Sequence, residues 1–78
     1  MNLTDDITVK LDKNEALVLF EFLSRLNNKE VKEIFEDKAE EKVLWILQGV
    51  LEKQLVESFK PNYSEIISEA RNNVRDEE

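Results

Sequence analysis

Asp12-Lys13-Asn14-Glu15-Ala16-Leu17-Val18-Leu19-Phe20-Glu21-Phe22-Leu23-Ser24-Arg25-Leu26-Asn27 is the stretch on which the fold turns. Its first four residues have the spacing of a reciprocal capping box. The Asp12 carboxylate can accept the Glu15 N–H while the Glu15 carboxylate reaches back to the Asp12 N–H. Beyond the cap, Ala16, Leu19, Phe20, Phe22, Leu23 and Leu26 cover one broad side at about 100° per residue, with Leu17 and Val18 at its margins. Asn14, Glu21, Arg25 and Asn28 share the other side, where Glu21–Arg25 is a favourable i,i+4 pair. The apolar sector is about 200° wide, and about 100° suffices for a surface helix. The spacing therefore predicts a helix over about 12–27 that packs against more than one neighbour, and with it a mainly α, compact three-helix bundle.

Working toward the C-terminus, Asn27-Asn28 breaks the pattern. Val31, Ile34 and Phe35 then stand at i, i+3, i+4, enough for a short helical turn near 30–36. Asp37-Lys38-Ala39-Glu40 repeats the capping-box spacing and opens a long helix expected over 37–59. Its main face holds Ala39, Val43, Ile46, Leu47, Val50, Leu51 and Leu55, with Leu44 at the margin. Lys60-Pro61 ends it, because proline pushes the residue before it out of the α region. Asn62-Tyr63-Ser64-Glu65 offers a third cap, and Tyr63, Ile66, Ile67, Ala70 and Val74 follow at helical spacing over 62–75. Arg71 and Arg75 suit the negative end of that helix. Asp76-Glu77-Glu78 does not, so residues 76–78, like 1–6, are expected to be mobile ends of a single domain spanning 1–78.

Toward the N-terminus, Ile7-Thr8-Val9-Lys10-Leu11 alternates strictly, as a half-buried strand does. A lone strand leaves backbone groups unpaired on both edges, and no second alternating segment occurs. Segment 7–11 is thus either an arm packed on the helices, the preferred reading, or a strand that pairs with its copy in a second chain. One internal echo stands out. Asp12 to Phe20 aligns without gaps to Asp37 to Trp45, with Asp, Lys, Glu, Val and Leu recurring in place and an aromatic residue closing both copies. Two capped amphipathic helices drawing on the same few residues account for it, since solenoid arrays need at least three repeats.

Composition narrows the chemistry. The 78 residues include neither Cys nor His, and Gly49 is the sole glycine. A disulfide framework, thiolate metal site, imidazole acid–base catalyst, P-loop and GxGxxG turn are all unwritable with that inventory. Nothing sets two carboxylates across a cleft, so neither an enzyme nor a cofactor or metal is expected. The N-terminus carries no basic region ahead of an apolar run, and no stretch approaches the ~20 apolar residues of a membrane span. The cytoplasm is the expected location. The net charge of −7 is uneven: residues 1–35 hold 5 bases and 7 acids, residues 36–78 hold 6 and 11. Such a surface repels phosphates and attracts cationic proteins.

Two constellations are candidate sites. Trp45, Gly49, Glu52 and Val56 fall together on the long helix, away from its main face, with Phe59 between the two. Glycine inside a helix costs about 1 kcal/mol relative to alanine, which the close approach of another backbone would offset. The N-terminal arm or C-terminal helix of the same chain could supply that cover. So could a dimer or partner interface, where Trp is enriched. The second constellation is the acidic patch Glu36, Asp37, Glu40 and Glu41, which lacks the EF-hand spacing. It reads as a solvated helix start favoured by the dipole or as a site for a basic partner.

Glu15 to Leu23, Ala39 to Trp45, Leu51 to Glu57 and the ending Ala70 to Glu77 resemble stretches of short, acidic bacterial proteins of unknown function, and that resemblance implies no activity. Strand 7–11 followed by two helices is similar to the ribbon-helix-helix order, in which a dimeric two-stranded ribbon enters the DNA major groove. That resemblance implies that Thr8 and Lys10 face bases. The chain departs from it in lacking a Gly-containing turn between the helices and in having Lys10 as the only base on the strand. The expected function is that of a non-enzymatic, acidic protein-interaction module of immunity, antitoxin or accessory type. Its partners would be another protein, basic in character, or a second copy of the chain; a dimeric ribbon-helix-helix DNA binder is the alternative.

Overall fold

A computed structural model describes residues 3–28 and 33–76. It contains helices α1 (Lys13–Asn27), α2 (Lys38–Gln54) and α3 (Tyr63–Arg75), with a 3-10 turn at Val56–Phe59 between α2 and α3. Helix α1 starts on the expected reciprocal cap. The Glu15 N–H donates to Asp12 Oδ1 at 2.8 Å, and the Asp12 N–H donates to Glu15 Oε1 at 2.9 Å. Its wide apolar sector is spent on two neighbours: α1 packs against both α2 and α3. Among the described residues α2 and α3 do not pack on each other, and the 3-10 turn touches both.

The core follows from that arrangement. Leu17, Phe20 and Leu23 of α1 meet Leu51 and Leu55 on one side and Ile67 and Ala70 of α3 on the other. Polar contacts pin the seams. Gln48 Nε2 donates to Ser24 Oγ at 3.2 Å, and Asn27 Nδ2 donates to Gln48 Oε1 between α1 and α2. Asn73 Nδ2 donates to Asn14 Oδ1 at 3.1 Å between α3 and α1. Lys13 Nζ reaches both Glu57 carboxylate oxygens at 3.2 Å, tying the start of α1 to the 3-10 turn. That carboxyl is held below its usual range by its own backbone N–H first and by Lys13 next. The expected Glu21–Arg25 pair forms, at 3.7 Å.

Five expectations need correcting. The long helix does not run to 59: it ends at Gln54, because Leu55 leaves helical geometry (φ −110°, ψ 87°) and buries its side chain to 2% exposure. The chain then restarts as the 3-10 turn, where Ser58 Oγ donates to the Leu55 carbonyl at 3.0 Å. Asn62 precedes α3 but makes no side-chain cap. Asp37 caps α2 through the Ala39 N–H at 2.7 Å, while Glu40 accepts from the Glu36 N–H at 3.0 Å, so that box is not reciprocal.

The fourth correction concerns segment 7–11, which forms no strand within the chain and is not packed on the helices. Ile7 is 90% and Val9 74% exposed. Of the helical turn expected near 30–36, residues 30–32 lie outside the described residues, as do 77 and 78 of the C-terminal end. Residues 33–36 are turn and bend without helix. The two echo segments both open helices, but Phe20 is buried and Trp45 is not.

The fold leaves much of its surface uncovered. The radius of gyration is 14.3 Å, against about 11.5 Å for a close-packed domain of this length.

Candidate functional site

Helix α2 has one packing neighbour among the helices and apolar residues on three sides. At about 100° per residue, Leu44, Leu47 and Leu51 share the side that rests on α1 and joins the core. A second side, adjacent to the first, carries Ala39, Val43, Ile46 and Val50. Val43 is 60%, Ile46 56% and Val50 52% exposed. Periodicity had joined these four to Leu47, Leu51 and Leu55 in one buried face. The structure divides that face, because α1 covers only its Leu47–Leu51 half.

Near the start of α2 the exposed half deepens into a groove of about 460 Å³ lined by Ile34, Phe35, Ala39, Glu40, Val43 and Leu44. The exposure of this face was not anticipated from the sequence. The signal was present, since the apolar residues of α2 span about 180°, nearly the width that marked α1 as needing two neighbours.

The third side is the predicted Trp45 stripe. Trp45 is 53% exposed, and Val56 and Phe59 are 64% and 78% exposed. Neither the N-terminal arm nor α3 closes over it: a Cβ built on Gly49 would meet nothing within 4 Å. Trp45, Gly49 and Glu52 share this side of α2. Val56 and Phe59 do not continue it, because the break at Leu55 places them on the 3-10 turn. A hollow of about 400 Å³ lies beside Trp45, lined by Lys38, Glu41 and Lys42.

The acidic patch is partly structural. Asp37 caps α2 and Glu40 holds the Glu36 N–H, which leaves Glu41 beside Trp45 as its link to the stripe. Among the described residues no three carboxylates are gathered as a cation site requires.

Elsewhere, Tyr63, Glu21, Ser64, Ile67 and Arg71 line a hollow of about 160 Å³ between α1 and α3. The Tyr63 hydroxyl is buried without a hydrogen-bond partner in its bonding geometry. Burial, and then the nearby Glu21 carboxylate, push its pKa up to about 12. A neutral phenol with that pKa is a poor acid or base near neutral pH.

No protein-family model matches the chain, and neither a curated protein nor a solved structure does. No helix among the described residues is long and apolar enough to cross a membrane.

Proposed function

We propose that this chain is a non-enzymatic module that binds another protein, of the immunity, antitoxin or accessory kind, through the side of α2 that carries Trp45, Gly49 and Glu52, with the exposed Val56 and Phe59 of the following 3-10 turn as a second apolar contact. The observation that carries the reading is the exposure of Trp45, Val56 and Phe59 on a chain of net charge −7. Large apolar side chains left in water cost solvation free energy that a partner recovers, and Trp is among the residues that dominate binding energies at interfaces. The partner's chemistry follows from the surroundings. Trp45 is flanked by charges of both signs, Glu41 and Glu52 with Lys38 and Lys42, and the acidic Glu36, Asp37 and Glu40 lie at the start of α2. A partner with an apolar pocket for Trp45 and basic groups toward the acidic start of α2 complements that surface.

The test begins with capture from the native host and is decided with purified components. Trp45 is the only tryptophan, so its fluorescence reports burial on binding directly. Trp45→Ala should weaken the captured protein's affinity by about 30-fold, the equivalent of a hot-spot loss of about 2 kcal/mol. Phe59→Ser should weaken it less, and both variants should keep the helical circular dichroism of the parent. Binding indifferent to both substitutions would remove this surface from the proposal. Steeply salt-dependent binding to duplex DNA instead would move the chain to the ribbon-helix-helix class, with Thr8 and Lys10 as the contacts to test.

A further inference from the structure

The surface proposed above uses one side of α2 and leaves the Ala39–Val43–Ile46–Val50 side unexplained. Three observations say what covers it. The first is area. The chain exposes 6691 Å², whereas a compact monomer of 9.2 kDa exposes about 4,900 Å². Part of the excess of about 1,800 Å² belongs to the exposed residues 3–11, and part to the half-exposed Val43, Ile46 and Val50 of α2; a standard interface buries ~800 Å² of each partner.

The second is charge. Helix α2 carries Lys38, Lys42 and Lys53 against Glu40, Glu41 and Glu52 and is neutral, so the whole −7 lies outside it. The side made by Ala39, Val43, Ile46 and Val50 carries no charged residue, so a basic partner gains nothing there. A second copy, repelled by every acidic part of this chain, meets no net charge there.

The third is side-chain size and shape. Ala, Val, Ile and Val are small or β-branched, without an aromatic anchor or a buried polar group. Such a stripe lets two helix axes approach to about 8–10 Å and interdigitate. With Val43 and Val50 on either side of Ile46, the stripe can also face its own copy, as an isologous two-fold contact requires.

We infer that this face is the contact between two copies of the chain, with α2 packed antiparallel on α2 of the second copy about a two-fold axis beside Ile46. In that arrangement Val43 of each copy lies opposite the partner's Val50, and the groove lined by Ile34, Phe35 and Ala39 extends the contact at both ends. The inference concerns a different face from the Trp45 side, so either can fail without the other.

The experiment is the solution mass of the full chain by sedimentation across a concentration series. The expected result is twice 9.2 kDa at the upper concentrations, with dissociation on dilution. Ile46→Asp combined with Val50→Asp should leave a monomer of unchanged helical circular dichroism, because both side chains are already half exposed in the single copy. Trp45→Ala should leave the dimer intact.

A second measurement is independent of stability. The chain has no cysteine, so Ile46→Cys should oxidise to a covalent dimer readily and Trp45→Cys poorly, the former lying beside the axis. A wild-type chain that stays monomeric throughout would overturn the inference. A dimer that survives the double aspartate variant would do the same. So would one lost on Ile7→Asp and Val9→Asp alone, since that pattern places the contact in the N-terminal segment.

Discussion

Gly49→Ala should make this protein more stable, which few substitutions in a folded core or helix do. Gly49 sits in the interior of α2 at ordinary helical dihedrals, with no positive φ among the described residues. Alanine in such a position restricts the unfolded chain and fits the helix better, for a gain of about 1 kcal/mol. Normally a conserved packing contact would cancel that gain, but here the added methyl meets nothing within 4 Å. For a domain of this size 1 kcal/mol corresponds to a rise in melting temperature of about 4–8 °C.

Urea denaturation followed by far-ultraviolet circular dichroism measures the gain, with the slope m expected to stay constant. At about 100° per residue Gly49 is well away from the Ile46–Val50 face, so the gain should be equal at low and high protein concentration. Gly49→Leu should gain nearly as much, since leucine is close to alanine in helix propensity and the space is open. A loss of stability with alanine would refute the reasoning. Alanine gaining while leucine loses would show another backbone within a side chain's reach of Gly49.

Three other perturbations probe the packed part. Asp12→Ala removes one half of a reciprocal cap whose bonds are 2.8 and 2.9 Å, and should cost about 1 kcal/mol in the urea midpoint analysis. Leu23→Ala empties a site that is 1% exposed and should cost about 2–5 kcal/mol, a large share of the marginal stability of a small domain. Val43→Ala at monomeric concentration should cost less than about 0.5 kcal/mol, as surface substitutions do. Tyr63 is the only tyrosine, so phenolate absorbance titrates it alone. It should ionise at about 12 in the folded protein and near 10 in urea. Because the folded value is the higher one, the stability linked to Tyr63 is present below pH ~10 and is lost as the pH rises toward ~12.

Helix α1 was legible in the sequence because everything that fixes it is local or periodic. The cap lies within four residues, the wide sector announces two neighbours, and both neighbours are found. The end of α2 was not legible, and the reason is physical. Pro61 was the only stop signal on offer, six residues after the true break, and nothing in Gln54-Leu55-Val56 disfavours a helix. What ends α2 is the tertiary gain of burying Leu55 between α1 and the 3-10 turn, and local propensity yields to such packing. The Trp45 stripe was legible as a grouping on α2 but not in its continuation to Val56 and Phe59, which depended on the same break. Periodicity also cannot say how much of a face a neighbour will cover. It assigned Val43, Ile46 and Val50 to the core by the same rule that correctly assigned Leu51.

The topology explains why uncovered surface gathers on α2. With α1 in the middle, α3 and α2 lie on either side of it, and each can bury only the residues that point at α1. Helix α3 meets that limit with a narrow apolar side: its exposed positions are mostly Ser, Glu, Arg and Asn. Helix α2 does not, because Val43, Ile46, Val50 and Trp45 lie outside the reach of α1 and keep roughly half of their surface in water. Polar residues at those positions would serve a self-sufficient bundle better, since they would solvate without affecting the Leu44–Leu47–Leu51 contact. Their absence at 43, 46 and 50, in a chain that is otherwise strongly charged, is what the proposed second copy would account for. The Ala39–Val43–Ile46–Val50 side carries no charged residue, whereas the Trp45 side mixes an aromatic ring with lysines and glutamates, so the two suit different occupants. That difference makes a single aspartate pair at 46 and 50 and a single alanine at 45 separable perturbations, one acting on self-association and the other on partner binding.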